Sequence, residues 1–314
     1  MGAINLSASS AERLINCPGS ADLTKSIPGF VYPEVDEEKG AKGLGTLLHD
    51  RLAYFTNNAY MRTPEALRII HSVLYTLADM HHTKRRPIMK DLGEWEQWYL
   101  DTNLELRSDL PEFTAAARLA FGEWLHGIVA QPPKILRYMA DVAEYLLTTI
   151  FSKGSYSSFN VHTEAKVFAT WLKRGRATTP DVAIVGPRVL EIIDYKSGVI
   201  PVDPVGNYQL MFYAACYLHL APNAQKITLT ILQPGDEGFN SWQATREQIE
   251  EFMAQAQEAE RRIALGSVVR VAGSHCTFCP ANPHGRGDKG KPWCDVKYEQ
   301  LYPTLLDEEA ILGE

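Results

Sequence analysis

The sequence has no run of about 18 apolar residues, the length a bilayer-spanning helix requires, so it carries no transmembrane-helix signal. Its opening stretch, MGAINLSASS, lacks the basic and apolar regions of a secretory signal peptide. The expectation is a cytoplasmic protein. Internal repeats and low-complexity segments are also absent, which leaves an ordinary globular composition of 45% hydrophobic and 22% charged residues. There is no cationic excess: 31 Lys and Arg against 38 Asp and Glu give a formal charge of −7. That argues against broad electrostatic binding of polyanions. It leaves open a site that concentrates carboxylates and neutralises them with bound cations. Cysteine is scarce, with five in 314 residues. In a reducing compartment the Cys276-x-x-Cys279 pair reads as metal or redox chemistry before it reads as a disulfide.

The length suits one large domain or two ordinary ones. Residues 7–16, SASSAERLIN, read as a short capped helix that stops at Cys17-Pro18-Gly19, with Ser7 or Ser9 as its cap. Residues 24–43 read as a loop. A helix is expected from near Thr46, with Leu47, Leu48, Leu52 and Phe55 at helical spacing. Residues 64–150 show helical patterns broken at TKRRP and AQPPK, and no strong strand pattern. From residue 160 the pattern changes. VHTEAKVFA, DVAIVG and VLEIIDYK read as strands, the last two joined as a hairpin by Gly186-Pro187-Arg188. GNYQLMFYAACYLHL reads as a helix, KITLTILQP as a strand, and TREQIEEFMAQAQEAERRIAL as a helix with Thr245 and Gln248 spaced as a capping box. The expected fold class is α/β. The expected division is 1–63 (N-terminal helices), 64–150 (helical insertion), 151–265 (α/β core) and 266–314 (cysteine-rich region and tail).

Polar side chains stand where an apolar core would not want them. Glu164 lies within the first expected strand, Asp181 starts the second, and Asp194 and Lys196 end the third. A strand puts residues i and i+2 on one face, so Asp194 and Lys196 point the same way. His49 lies on the helix after Thr46. If the three strands are adjacent, their carboxylates converge at one end of the sheet. Two or three carboxylates and an imidazole suit Mg²⁺ or Mn²⁺, and such a cation activates water and polarises a phosphoryl oxygen. Lys196 would then orient or deprotonate the attacking water, or offset charge in the transition state. Taken singly, a surface ion pair, a turn aspartate and a structural histidine would explain these residues equally well.

Taken together they resemble the PD-(D/E)xK nuclease superfamily in its RecB-like branch. PDVAIVGPRVLEIIDYKSG is similar to that branch's core pattern, with Asp181 as the first acid and Asp194-x-Lys196 as the second acid and lysine. GTLLH is similar to its upstream histidine motif, and QLMFYAACY to its downstream Gln-x-x-x-Tyr motif. The resemblance implies a restriction-endonuclease-like core, a mixed central sheet flanked by helices. It implies a metal-dependent deoxyribonuclease, an exonuclease by analogy, with DNA ends or single strands as substrate. His49, Asp181, Asp194 and the Tyr195 carbonyl would hold the metal and Lys196 would be the catalytic lysine. Glu164 would assist through water or as a ligand. Gln209 and Tyr213, one helical turn apart, would contact DNA or support the catalytic residues. The resemblance does not extend to residues 64–150. A setting in phage-type recombination or replication, with a protein partner from that machinery, accords with it.

Cys276, Cys279 and Cys294 are one thiol short of a common zinc ribbon. His275 or His284 would complete a local Cys₃His zinc site, and Cys17 is the distant candidate. SASSAERLINCPGS resembles the signature of iron–sulfur members of the same branch, including CRISPR-associated and AddB-type nucleases. These carry one cysteine before the core and three after it. The resemblance implies that Cys17, Cys276, Cys279 and Cys294 hold a 4Fe–4S cluster with a structural role. The gap between Cys279 and Cys294 is wide for that group and keeps Zn²⁺ as the alternative. Cys216 reads as a buried small side chain. Lys166, Lys173, Arg174 and Arg176 lie between Glu164 and Asp181, and Arg286, Lys289 and Lys291 in the cysteine loop; either group suits phosphate binding or a solvated turn. Trp171 suits base stacking or the core. Two rival readings remain: a DNA-binding or assembly factor of the same fold without turnover, and a zinc-stabilised interaction module.

Overall fold

The computed structural model of the chain describes residues 6–26, 49, 50, 52, 53, 71, 73–75, 78, 133–151, 160–196, 200–233, 239–277, 279–281, 294 and 296. The helices are α1 (Ala11–Asn16), α2 (Ser20–Ser26), α3 (Pro133–Phe151), α4 (Tyr208–Tyr217) and α5 (Arg246–Ala264). The strands are β1 (Asn160–Thr163), β2 (Val167–Phe168), β3 (Ala177–Thr178), β4 (Val182–Val185), β5 (Val189–Tyr195), β6 (Lys226–Leu232) and β7 (Phe239–Ala244). Five strands form a sheet in the order β1-β4-β5-β6-β7, and β2 and β3 pair separately. Only β5 and β6 are parallel, so the sheet is mixed. A parallel pair needs a crossover, and α4 supplies it.

β5 lies at the centre with a neighbour on each side and helices over both faces. That is why VLEIIDY reads as an almost unbroken apolar run rather than an alternating one. Leu190 and Ile192 join Ala183, Val185, Ile227 and Leu229 on one face, packed against Leu14, Leu210, Phe212, Ile249 and Phe252 from α1, α4 and α5. Each buried Leu, Ile, Val or Phe among these contributes about 1.5–3 kcal/mol. The opposite face meets α3. There Tyr138 donates to the Leu232 carbonyl at 2.9 Å, and Tyr145 donates to Glu191 at 3.0 Å, giving that buried carboxylate a partner. α3 begins at Pro133, where the missing N–H costs the helix nothing. The Thr245–Gln248 capping box starts α5 as expected.

Three local expectations change. VHTEAKVFA is not one strand, because the chain bends at Glu164 (φ 47°) and passes from β1 into β2, which lies outside the main sheet. β7 is an unforeseen edge strand; its outward residues Asn240, Ser241 and Gln243 are exposed and polar, so it carries little hydrophobic signal. The N-terminal helix opens with a 3₁₀ turn at Ala8–Ser10 before α1. His49, Asp50, Leu52 and Ala53 are helical as expected, whereas the loop expected at 24–43 starts too early, because residues 24–26 belong to α2. Most of 64–132, the loop at 27–43 and residues 282–293, which include His284, Arg286, Lys289 and Lys291, lie outside the described residues. Among the described residues no helix is long and apolar enough to cross a membrane.

Candidate metal centre

Strand polarity brings the acids together. β4 runs antiparallel to β1 and β5, so β1 ends, β4 begins and β5 ends at one edge of the sheet. The Val182↔Ile193 pair sets the register, and one step further places Asp181 across from Asp194. The Thr163↔Val182 pair does the same for Glu164, whose amide donates to the Asp181 carbonyl at 3.0 Å. Glu164 is in the left-handed region, which costs a non-glycine residue on the order of 1 kcal/mol or more. This strain sits at the point where the carboxylate meets the site.

His49 Nδ1 lies 2.9 Å from Asp181 Oδ1 and 3.5 Å from Glu164 Oε1. One ligand atom from each of His49, Glu164 and Asp181 lies within 4.8 Å of the others. Asp181 is buried, and its second oxygen accepts the Tyr195 amide. Burial pushes its carboxyl up to about 6; the His49 hydrogen bond opposes this and the charge of Asp194 adds to it. Burial also raises Asp194, against the pull of Lys196. Burial would lower His49, but its hydrogen bonds to Asp181 and Glu164 carry it up to about 10. The direction of these shifts favours a proton shared with His49 in the metal-free site, where a cation would neutralise the same carboxylates.

That proton has a measurable consequence. A folded-state value raised from 6.5 to about 10 contributes stability that is fully present below pH 6.5 and is lost as pH rises towards 10. In EDTA, the gap in urea midpoint between wild type and His49→Gln is expected to narrow steadily across that window. A constant gap would show that His49 is not paired in this way.

Asp194 occupies the other half of the site. Lys196 Nζ lies 2.6 Å from Asp194 Oδ2 as an ion pair, at angles outside hydrogen-bonding geometry. Gln209 joins the parts: its Oε1 accepts from Lys196 at 3.0 Å, and its Nε2 reaches Asp194 Oδ1 at 3.2 Å and the Tyr213 hydroxyl at 2.9 Å. An ammonium cannot accept and a carboxylate cannot donate, so these neighbours fix the amide's orientation. Asn207 caps α4 through the amides of Gln209 and Leu210, which places Gln209 in the first turn. Thr178 of β3 lies beside the Tyr213 hydroxyl.

The structure thus brings together His49, Glu164 and Asp181 as one group and Asp194, Lys196, Gln209 and Tyr213 as an adjoining one. The Tyr195 side chain is buried and faces His49, ring edge to ring face, at 6.0 Å. Carboxylate oxygens and one imidazole nitrogen at this spacing fit a hard divalent cation that keeps part of its water shell. Lys173, Arg174 and Arg176 are exposed on the loop between β2 and β3 and take no part in either group. Trp171 packs against Phe212 and Phe252, so its role is in the core. Sequence reasoning missed Tyr138, which shares the Leu232 carbonyl with the Lys196 amide, because nothing in its helix marks it as unlike any core tyrosine.

A second cluster lies where the N-terminal and C-terminal segments meet. Cys17, Cys276 and Cys279 are buried, and Cys294 packs beside Cys279, Leu23 and Ala281. None of the five cysteines is in a disulfide. Backbone amides approach two sulfurs: Val271 N to Cys17 Sγ at 3.5 Å and Gly273 N to Cys276 Sγ at 3.4 Å. Burial raises the Cys279 thiol, the Ala281 amide and Arg13 oppose this, and nearby Cys276 and Cys17 raise it further. Gly19 donates to the Val269 carbonyl at 2.8 Å, where a Cβ would stand 2.6 Å from that oxygen. Ser274 donates to Glu12 at 2.6 Å. His275 is buried with Nε2 2.9 Å from the Val271 carbonyl, a contact that fixes its ring within the loop. Cys216 is buried in α4, its thiol pushed up to about 12 by burial. Soft thiol donors met by backbone N–H groups suit a thiolate-bound metal group.

Fold and site together define an α/β protein with a cation-competent cluster of carboxylates and one imidazole at its sheet edge. The chain belongs to the family described as "Protein of unknown function (DUF2800)", whose model matches residues 4–313.

Proposed function

We propose that the chain is a Mg²⁺- or Mn²⁺-dependent DNA nuclease with the restriction-endonuclease-like core of the RecB-like PD-(D/E)xK branch, an exonuclease acting on ends or single strands. The observation that carries this reading is the convergence of His49, Glu164, Asp181, Asp194 and Lys196 at one sheet edge, with Gln209 bonded to both Asp194 and Lys196. An incidental surface ion pair would not need a half-buried amide bonded to both partners.

His49, Asp181 and Glu164 would hold the metal, with Asp194 and the Tyr195 carbonyl beside them. A divalent cation supplies there a Lewis acid for a phosphoryl oxygen and a lowered pKa for water. Lys196 contributes a positioned ammonium that orients the attacking water and offsets charge growing on the phosphoryl oxygens. Asp194 and Gln209 keep that ammonium from swinging into solvent. Tyr213 and the Asn207 cap hold Gln209 in turn. Water's oxygen ends on phosphorus and the departing sugar oxygen leaves protonated.

Cys17, Cys276, Cys279 and Cys294 would hold a 4Fe–4S cluster that clips the two ends of the chain onto the α/β core, with Zn²⁺ as the alternative occupant. The test of function is incubation of end-labelled single- and double-stranded DNA with anaerobically purified protein in Mg²⁺, Mn²⁺ or EDTA. Shortened products with metal and none in EDTA are expected. Binding without cleavage by folded, metal-replete protein would favour the DNA-binding or assembly role instead.

A further inference from the structure

We propose that the outer face of the β2–β3 hairpin is a track for single-stranded DNA leading to the metal centre. Phe168 would stack an unpaired base, and Lys166, Lys173, Arg174 and Arg176 would hold phosphates. The substrate class rests on the nuclease assignment; the surface itself does not.

The hairpin is rooted in the site. β2 follows Glu164 and β3 leads into Asp181, and Thr178 of β3 lies beside the Tyr213 hydroxyl, which bonds Gln209. Side chains alternate along the first arm: Val167 and Ala169 are buried, while Glu164, Lys166, Phe168 and Thr170 are exposed. Lys166 and Phe168 flank the buried Val167, so a cation and an aromatic ring lie together on the outer side of this arm, just past the bend that carries Glu164. Phe168 is 55% exposed, a large apolar surface left in water. Four residues of chain reach at most about 14 Å, so the ring stands within a few nucleotides of the centre.

The tip is built, although it lies at the surface. Glu260 of α5 is buried and uses both carboxylate oxygens on backbone amides, those of Lys173 at 3.0 Å and Arg174 at 2.7 Å. Gln257 donates to the Trp171 carbonyl at 2.8 Å. Gly175 sits so close that a Cβ would stand 1.9 Å from the Ala169 carbonyl oxygen. Desolvating a carboxylate to fix a turn is costly, and a merely solvated tip does not require it. The fixed backbone leaves the side chains of Lys173, Arg174 and Arg176 exposed, with no ion-pair partner among the described residues. Aromatic rings interleaved with cations bind single strands, because every unpaired base offers a face to stack. A paired base keeps both faces inside the duplex.

The test is fluorescence anisotropy of fluorescein-labelled oligothymidylate with the full chain in EDTA, where cleavage is silent. Phe168→Ala is expected to weaken binding by about 5- to 150-fold, and Phe168→Trp to restore it. Because Phe168 is exposed, the substitution leaves the core untouched. The Lys173→Ala, Arg174→Ala double variant is expected to reduce the slope of log affinity against log salt by about 1.4. Wild-type binding by Phe168→Ala, or equal affinity for a duplex, would overturn the track. Hairpin-dependent binding without cleavage in metal would sink the nuclease assignment and leave the track standing. Cleavage with binding indifferent to Phe168 would do the reverse.

Discussion

Asp194→Asn is expected to lower Mg²⁺-dependent DNA cleavage by more than about 100-fold, the upper end of what losing a supporting residue costs a metal site. The substitution keeps the side chain's shape and its reach to Gln209, and removes the charge that pairs with Lys196. Stability is expected to hold or rise. Burial raises the Asp194 pKa, which means that the ionised carboxylate is less favourable in the folded protein than in the unfolded chain. A neutral isostere removes that cost, so folding and catalysis move in opposite directions at this residue. Gln209→Ala gives the comparison. It leaves both charges in place and removes only the amide between them, and a smaller loss, about 10- to 100-fold, is expected. Cleavage rates and urea midpoints measured on the same preparations separate the two effects. An Asp194→Asn protein that is both unstable and inactive would show only that the residue is structural.

The second large effect is expected at Cys17. If the proposed 4Fe–4S cluster is bound there, Cys17→Ser is expected to abolish iron incorporation and to destabilise the protein by at least the roughly 2–5 kcal/mol that loss of a disulfide staple costs a small domain. The reason is topological. Cys17 ends α1, while Cys276 and Cys279 lie near the far end of the chain, and among the described residues these segments meet through a few hydrogen bonds and the packing of Leu23 with Cys279 and Ala281. Gly19 meets Val269, Ser274 meets Glu12, and Val271 approaches Cys17 itself. A metal group bound by both segments would close a loop that contains the whole α/β core, where a clip stabilises most in principle. Iron and zinc analysis of wild type and Cys17→Ser, with thermal melts, checks this. A colourless wild type containing one zinc would replace the cluster with the zinc alternative. Full iron content in Cys17→Ser would remove Cys17 from the ligand set.

Much of the site was legible because its residues disturb patterns that are otherwise regular. Asp194 and Lys196 end a strand that is apolar up to that point but for Glu191, and Gln209 and Tyr213 recur one turn apart on a helix that is buried nearly throughout. The antiparallel β4–β5 hairpin then dictates that Asp181 and Asp194 share an edge, given only a tight turn at Pro187-Arg188. The bend at Glu164 was not legible, since the apolar spacing of VHTEAKVFA runs on through it and the left-handed φ leaves no mark in composition. Glu260 was hidden for a different reason. On an amphipathic helix rich in Glu and Arg it looks like one more solvated charge, and its burial depends on a loop 86 or more positions earlier in the chain. The polar edge strand β7 lacks the apolar alternation that reveals its neighbours.

The measurement that bears most directly on the metal centre is single-turnover cleavage of end-labelled DNA by wild type and Lys196→Ala, each in Mg²⁺ and in EDTA. Removing the ammonium held by Asp194 and Gln209 should leave the fold intact and reduce the rate in Mg²⁺ by about 10²- to 10³-fold, with no products from either protein in EDTA. Equal rates for the two proteins in Mg²⁺, or cleavage that persists in EDTA, would contradict the assignment of this sheet edge as a phosphodiesterase centre.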